Sequence, residues 1–206
     1  MLFLIISIDP DYTLSKFLVA GLGNIGEEYA FTRHNIGFEI ADALAKKLQP
    51  EASGRLFHSD KLAAVNHSKY KGKQVVIVKP TTYMNLSGKA VNYWLQAEKI
   101  PLDHLLVVTD DLALPFGTLR LKKKGSDGGH NGMADIAETL NTVDYHRLRF
   151  GIGSDFSRGK QVDYVLSKWS QEESDMLQEH IQKACDIILS FIAIGAERTM
   201  TAFNKK

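Results

Sequence analysis

The chain has 206 residues, 44% hydrophobic and 24% charged, which suits one compact domain and leaves little material for a second. Lysine and arginine total 25 against 24 acidic residues, so the overall field neither draws in nor expels nucleic acid, and any RNA contact must use a local patch. One cysteine, Cys185, excludes an internal disulfide framework and a cysteine-based zinc cluster, fits a reducing compartment, and in an apolar helical run reads as core.

The opening apolar run, residues 2–8, has no basic residue ahead of it and stops at Asp9-Pro10, too short for a membrane span or a usual signal peptide. Residues 1–15 therefore read as an extension ahead of the fold and 16–206 as the domain, in a soluble, cytoplasmic protein with no membrane partner. Residues 17–20 form a continuous apolar run ending in glycine, the pattern of a strand buried on both faces. Ile36, Ile40, Leu44 and Leu48 recur every four residues and mark one face of a helix that stops near Pro50. The runs 62–65 and 75–78 flank a polar turn at Lys71-Gly72-Lys73, which predicts a hairpin. A helix follows from near Ser87, with Ser87 as its cap and Val91, Trp94 and Leu95 as its buried stripe. Residues 105–108 predict another buried strand, ending in Asp110-Asp111. Strands at 118–121 and 148–152 are separated by a glycine-rich loop and a short helix carrying Ile136 and Leu140. Ser170 and Glu173, in capping-box spacing, open one closing helix. Strands alternating with helices predict an α/β single domain, a mixed twisted β-sheet surrounded by α-helices.

Gly21-Leu22-Gly23-Asn24-Ile25-Gly26 follows a strand and matches the G-x-G-x-x-G dinucleotide fingerprint, so a nicotinamide-dependent dehydrogenase has to be weighed. That fingerprint works because its glycines open a helix whose amino end faces the pyrophosphate, with an acidic residue about 20 positions on at a strand end. Here residues 27–35 have no apolar helical period, and the position about 20 further on falls inside a helix, near Asp42. The dehydrogenase reading is therefore set aside.

Four segments carry unusual polar residues beside glycine or at strand ends. They are Gly23-Asn24-Ile25-Gly26 with Thr32-Arg33-His34-Asn35; Pro80-Thr81-Thr82-Tyr83-Met84-Asn85-Leu86-Ser87-Gly88; Asp110-Asp111; and Gly128-Gly129-His130-Asn131-Gly132. In order and spacing together they closely resemble the bacterial-type peptidyl-tRNA hydrolase family, over a span from about Lys16 to the C-terminus. The resemblance implies a monomeric esterase, with no cofactor or metal, that cleaves the bond between a peptide's terminal carbonyl and the 3′ ribose of tRNA.

The residue types suit that reaction. Water needs a base with a pKa near neutral, which histidine supplies with little adjustment, and the resemblance points to His34. Asp110, beyond a buried strand, could hold the imidazole in one tautomer and stabilise its charged form, or could simply cap a turn. Attack develops negative charge on the carbonyl oxygen, and Asn85 and Asn131 offer amide donors for it; asparagine also favours turns, most of all next to glycine, as Asn131 is. In the family, positions matching Asn24, Asn85 and Asn131 hold the peptide and the terminal nucleotide, and the first helps distinguish peptidyl from free aminoacyl esters. Tyr29, Tyr83 and Met84 are expected to line the cleft against adenosine or peptide, with core packing the rival for Met84. His130 resembles the family's second histidine, a binding residue more than a proton acceptor; spacing alone does not rank the two. No G-x-S-x-G elbow and no H-E-x-x-H pair occur, which leaves water as the nucleophile.

Lys122-Lys123-Lys124 precedes the glycine loop, and Arg147 and Arg149 alternate on a strand, so their charges share one side. Lys122 and Arg149 resemble the family's clamp for the acceptor stem, a sequence-independent phosphate contact. Departures from the family pattern are Ile25 where proline is common, which puts the pose of Asn24 in doubt, and Thr109, Ala113 and Asp127 around the aspartate and the histidine loop. The rival reading is a non-catalytic RNA-binding factor of the same fold, which would not need the intact pair His34 and Asp110.

Overall fold

A computed structural model describes residues 15–204; the expected extension lies outside the described residues except at Ser15, whose carbonyl accepts from Gln74 N at 3.0 Å. The order is β1 (Lys16–Gly21), α1 (Ile36–Leu48), β2 (His58–Asp60), β3 (Ala63–Tyr70), β4 (Lys73–Pro80), α2 (Ser87–Ala97), β5 (Leu105–Asp111), β6 (Leu119–Lys122), α3 (Asn131–Leu140), β7 (His146–Gly151), α4 (Gln161–Val165), α5 (Gln171–Ile194) and α6 (Ala196–Phe203). Among the described residues the strands form one seven-stranded sheet in the order β2-β3-β4-β1-β5-β7-β6. The central strands β4, β1, β5 and β7 are parallel, whereas β2, β3 and β6 pair antiparallel.

Period-two alternation divides each central strand between two cores. Phe17, Val19, Val75, Ile77, Leu106 and Val108 pack beneath α1 and α5, while Leu18, Ala20, Val76, Val78, Leu105 and Val107 pack beneath α2 and α3. Both faces are covered, and for that reason these strands read as unbroken apolar runs. The hairpin turn has positive φ at Lys71 (46°) and Gly72 (76°), the geometry of a tight two-residue connection.

The glycine fingerprint has a packing cause. A Cβ on Gly21 would stand 2.2 Å from the Gly37 carbonyl oxygen, so α1 crosses the end of β1 at backbone contact. Beyond Gly26 come two short 3-10 turns, Glu27–Tyr29 and Arg33–Asn35, before α1 begins at Ile36, so the glycine turn does not itself open a helix as the dinucleotide fingerprint requires.

Several local expectations need correction. The chain does not close with one helix: Gly195, at φ 83°, ends α5, and α6 follows. Ser87 is not a cap but a buried residue whose hydroxyl donates to Met84 O at 2.8 Å. The Gly88 N–H at the start of α2 is instead satisfied by Asp135 Oδ2 of α3, at 2.6 Å. The capping box on α5 is present in both directions, Glu173 N to Ser170 Oγ and Ser170 N to Glu173 Oε2. Cys185 is fully buried, and burial pushes its thiol up to about 12, as for an inert core residue.

Candidate active site

The carboxyl ends of the parallel strands gather the polar segments at one end of the sheet, where ligands collect in open α/β folds. Asp110, near the end of β5, is buried and sends one oxygen, Oδ1, to two imidazoles: His34 Nδ1 at 2.9 Å and His130 Nε2 at 3.0 Å. The two rings lie 4.8 Å apart, tilted by 45°. Burial pushes the Asp110 carboxyl up, but the charge and hydrogen bonds of His130 and then of His34 outweigh it and hold the group well below the usual carboxylate range. An ionised carboxylate only accepts, so both rings donate to it.

The second nitrogen of each ring separates their roles. His130 Nδ1 accepts from Gly132 N at 3.1 Å and Met133 N at 3.3 Å, which makes His130 the cap of α3 and occupies its lone pair. His34 Nε2 has no hydrogen-bond partner among the described residues, and the ring lines a cleft shared with Asn131, Arg149, Val162 and the Gly128-Gly129 turn. His34 therefore carries an accepting nitrogen toward the cleft, whereas His130 does not.

Two residues that the sequence reading passed over hold this arrangement. Asn35, buried where α1 begins, bonds both backbone groups of Asn24: Asn24 N to Asn35 Oδ1 at 2.8 Å, and Asn35 Nδ2 to Asn24 O at 2.9 Å. This grip fixes the backbone of the half-buried Asn24 through both its N–H and its carbonyl, with Ile25 following. Arg33, also buried, binds Glu173 through both terminal nitrogens at 2.6 and 2.8 Å, and lies over the rings of Tyr164 and Trp169. It ties the turn bearing His34 to the start of α5. A buried arginine and asparagine on either side of a histidine were the available signal, but their partners lie 140 and 11 residues away.

The remaining expected site residues are distributed unevenly. Tyr29 is half-buried in the turn before His34, and Tyr83 is 73% exposed. Asn85 is exposed in the 3-10 turn Met84–Leu86, and Asn131 is exposed at the first turn of α3, within the cleft. Met84, for which the sequence leaves cleft and core both open, is only 6% exposed and packs in the α2–α3 core with its thioether against Gly132. Lys122 is exposed at the end of β6. Arg149 lines the cleft but is ion-paired with Asp111. Arg147 lines the same cleft as Arg149, as their alternation predicts; largely buried, it donates to Gly125 O, Ser126 O and Val143 O and so organises the glycine loop. Asp127 accepts from Gly129 N at 2.7 Å and shapes the same loop.

No metal-ligand pair was legible in sequence, yet His34, Asp110 and His130 bring one ligand atom each within 4.8 Å of one another. A divalent ion there would have to displace two existing hydrogen bonds to Asp110. No helix among the described residues is long and apolar enough to cross a membrane.

A family model described as peptidyl-tRNA hydrolase matches residues 18–206. The chain is 56% identical to the peptidyl-tRNA hydrolase of Phocaeicola vulgatus, over 93% of this chain and 100% of that protein. It is 53% identical to that of Cytophaga hutchinsonii, over 93% and 99%. A crystal structure of peptidyl-tRNA hydrolase from Acinetobacter baumannii superposes with TM-score 0.80 at 33% identity, covering 93% of each chain.

Proposed function

The chain belongs to the peptidyl-tRNA hydrolase family and is an ester hydrolase of peptidyl-tRNA, and from that premise we propose that His34 is its general base. In this reading His34 Nε2 takes a proton from water as the oxygen attacks the ester carbonyl. The Asp110 carboxylate holds the ring by Nδ1–H and stabilises the imidazolium that forms. Amide groups of Asn85 and Asn131 receive the developing oxyanion, and Asn24 holds the peptide. Collapse breaks the ester bond, and the proton on Nε2 passes to the departing ribose oxygen, giving a peptide acid and a free 3′ end. Tyr29 and Tyr83 pack against the terminal adenosine or the peptide, and His130 orients Asp110 at the substrate's edge. Lys122 and Arg149 hold the acceptor stem. The protein works as a monomer in the cytoplasm, with 16–206 as its catalytic domain and 1–15 as an extension.

One observation carries this reading: a single buried carboxylate oxygen serves two imidazoles, and only His34 keeps its other nitrogen unpartnered in the cleft. The test is turnover of N-acetylaminoacyl-tRNA. His34→Ala is expected to lower kcat by about 10²–10⁴-fold while tRNA binding is retained, and chelator is expected to leave the wild-type rate unchanged. Wild-type turnover that chelator abolishes, or a His34→Ala variant at full rate, would remove the proposed mechanism.

A further inference from the structure

The surroundings of His34 divide into two flanks of opposite chemistry. One is the cleft itself, which Arg147 and Arg149 line. On the other, past Asn24 and Asn35, lies a second groove of about 340 Å³, walled by Ile25, Phe31, Phe38, Ala64 and Pro80. Ile25 is 46% and Phe31 65% exposed. Two more exposed apolar residues flank the groove at Thr81: Tyr83, two residues on, and Leu62, whose carbonyl accepts from Thr81 N at 2.8 Å. Single exposed apolar residues need no explanation, but a cluster around a concave site does. Phe31 adds a backbone cost, since it holds φ 60°, a left-handed conformation rare for a bulky residue, while presenting its ring to solvent.

Charge narrows the choice of occupant. Glu27 and Glu28 follow Gly26 at the groove's rim, with the Glu28 carboxylate against Gly26 itself. The groove's cation, Lys79, is held by Asp42 at 2.5 Å. A polyanionic RNA strand is repelled there and finds its counter-charge elsewhere, on exposed lysines such as Lys122 and Lys124. The part of peptidyl-tRNA left to fill an apolar groove is the peptide: Asn24, the peptide-holding residue of the hydrolase reading, lines the groove, as does Asn35, the chain neighbour of His34. We propose that this groove receives the side chain of the residue preceding the esterified one, so that the enzyme prefers peptides apolar at that position over acidic ones. The inference rests on the hydrolase reading and adds a specificity that it does not contain.

Three substrates on one tRNA test it: N-acetyl-Ala, N-acetyl-Phe-Ala and N-acetyl-Asp-Ala esters, assayed with wild type and with the double variant Phe31→Ala, Ile25→Ser. For the wild type, kcat/KM for the Phe-Ala ester is expected to exceed that for the Asp-Ala ester by about tenfold or more, chiefly through KM, in the range an apolar pocket discriminates. In the double variant that ratio should fall toward one while the single-residue ester keeps its rate, which shows that fold and catalytic centre are intact. Equal wild-type rates for the two dipeptides, or a variant that loses all three substrates alike, would overturn the groove. Failure of the wild type to turn over any of the three would instead overturn the hydrolase reading, and the groove's role with it.

Discussion

At the scale of single residues, the question is why two histidines on one carboxylate are not interchangeable. Asp110 fixes the tautomer of each by accepting, which leaves one lone pair per ring. The chain then uses the His130 lone pair on backbone amides of α3, and the His34 lone pair faces the cleft. Two different losses are therefore expected. His130→Ala removes a helix cap and one of the two donors to Asp110, and should lower stability by about 1–2 kcal/mol in a denaturant melt. Its kcat should fall, but by less than that of His34→Ala, because the proton acceptor remains. If His130→Ala matched His34→Ala in kcat at unchanged stability, the division of roles would be wrong. Because Asp110 is held below the usual carboxylate range, the stability it contributes is present above its unfolded value and is lost only as pH falls through the lower folded one. Activity that disappears near neutral pH thus cannot be assigned to the carboxylate.

At the scale of elements, α1 directly follows the turn that bears His34 and carries an ionisable group desolvated by burial, Glu39. Burial pushes the Glu39 carboxyl up to about 7, with the facing Trp169 indole pulling the other way and Asp42 adding to the rise. Glu39 Oε1 and Trp169 Nε1 each lack a well-formed hydrogen bond. A folded-state pKa above the unfolded one favours the folded protein below the unfolded value, and that advantage is lost as pH rises through about 7. Glu39→Gln should therefore be nearly neutral in stability at pH ~4 and stabilising by roughly 2 kcal/mol at pH ~8, measured by denaturant melts at both. A pH-independent difference would mean that the carboxyl is not buried in solution. Much of this layer was legible in the sequence, because α1, α2, the hairpin and the buried strands advertise themselves by period and by unbroken apolar runs. What escaped has physical causes: β2 is exposed on all three residues and so has no alternation to read, and α4 is five residues long. The α5–α6 break depends on one positive φ at Gly195 in an otherwise helical pattern. In the site, His34 and Asp110 were identified through their motif neighbours. Asn35 and Arg33 were missed because they act through partners that local spacing cannot reveal, and the choice between cleft and core for Met84 needed its tertiary contacts.

At the scale of the whole molecule, a formal net charge of +1 has to steer a polyanion, so recognition depends on where the charges sit. The basic flank is weaker than a count of its residues suggests, since Arg147 is buried in the glycine loop and Arg149 is shared with Asp111. Lys122 is exposed and free of such a partner among the described residues. In the Lys122→Ala, Arg149→Ala pair, KM for full-length peptidyl-tRNA should rise. The slope of log(1/KM) against log salt should flatten by about 2, one contact for each cation removed. A minimal peptidyl-nucleotide, which has no acceptor stem to hold, should be unaffected. Asp111→Asn supplies the converse, because releasing Arg149 from its ion pair should lower KM for the full-length substrate alone. Equal effects of these variants on both substrates would place the two cations in the support of the catalytic end and not in contact with RNA phosphates.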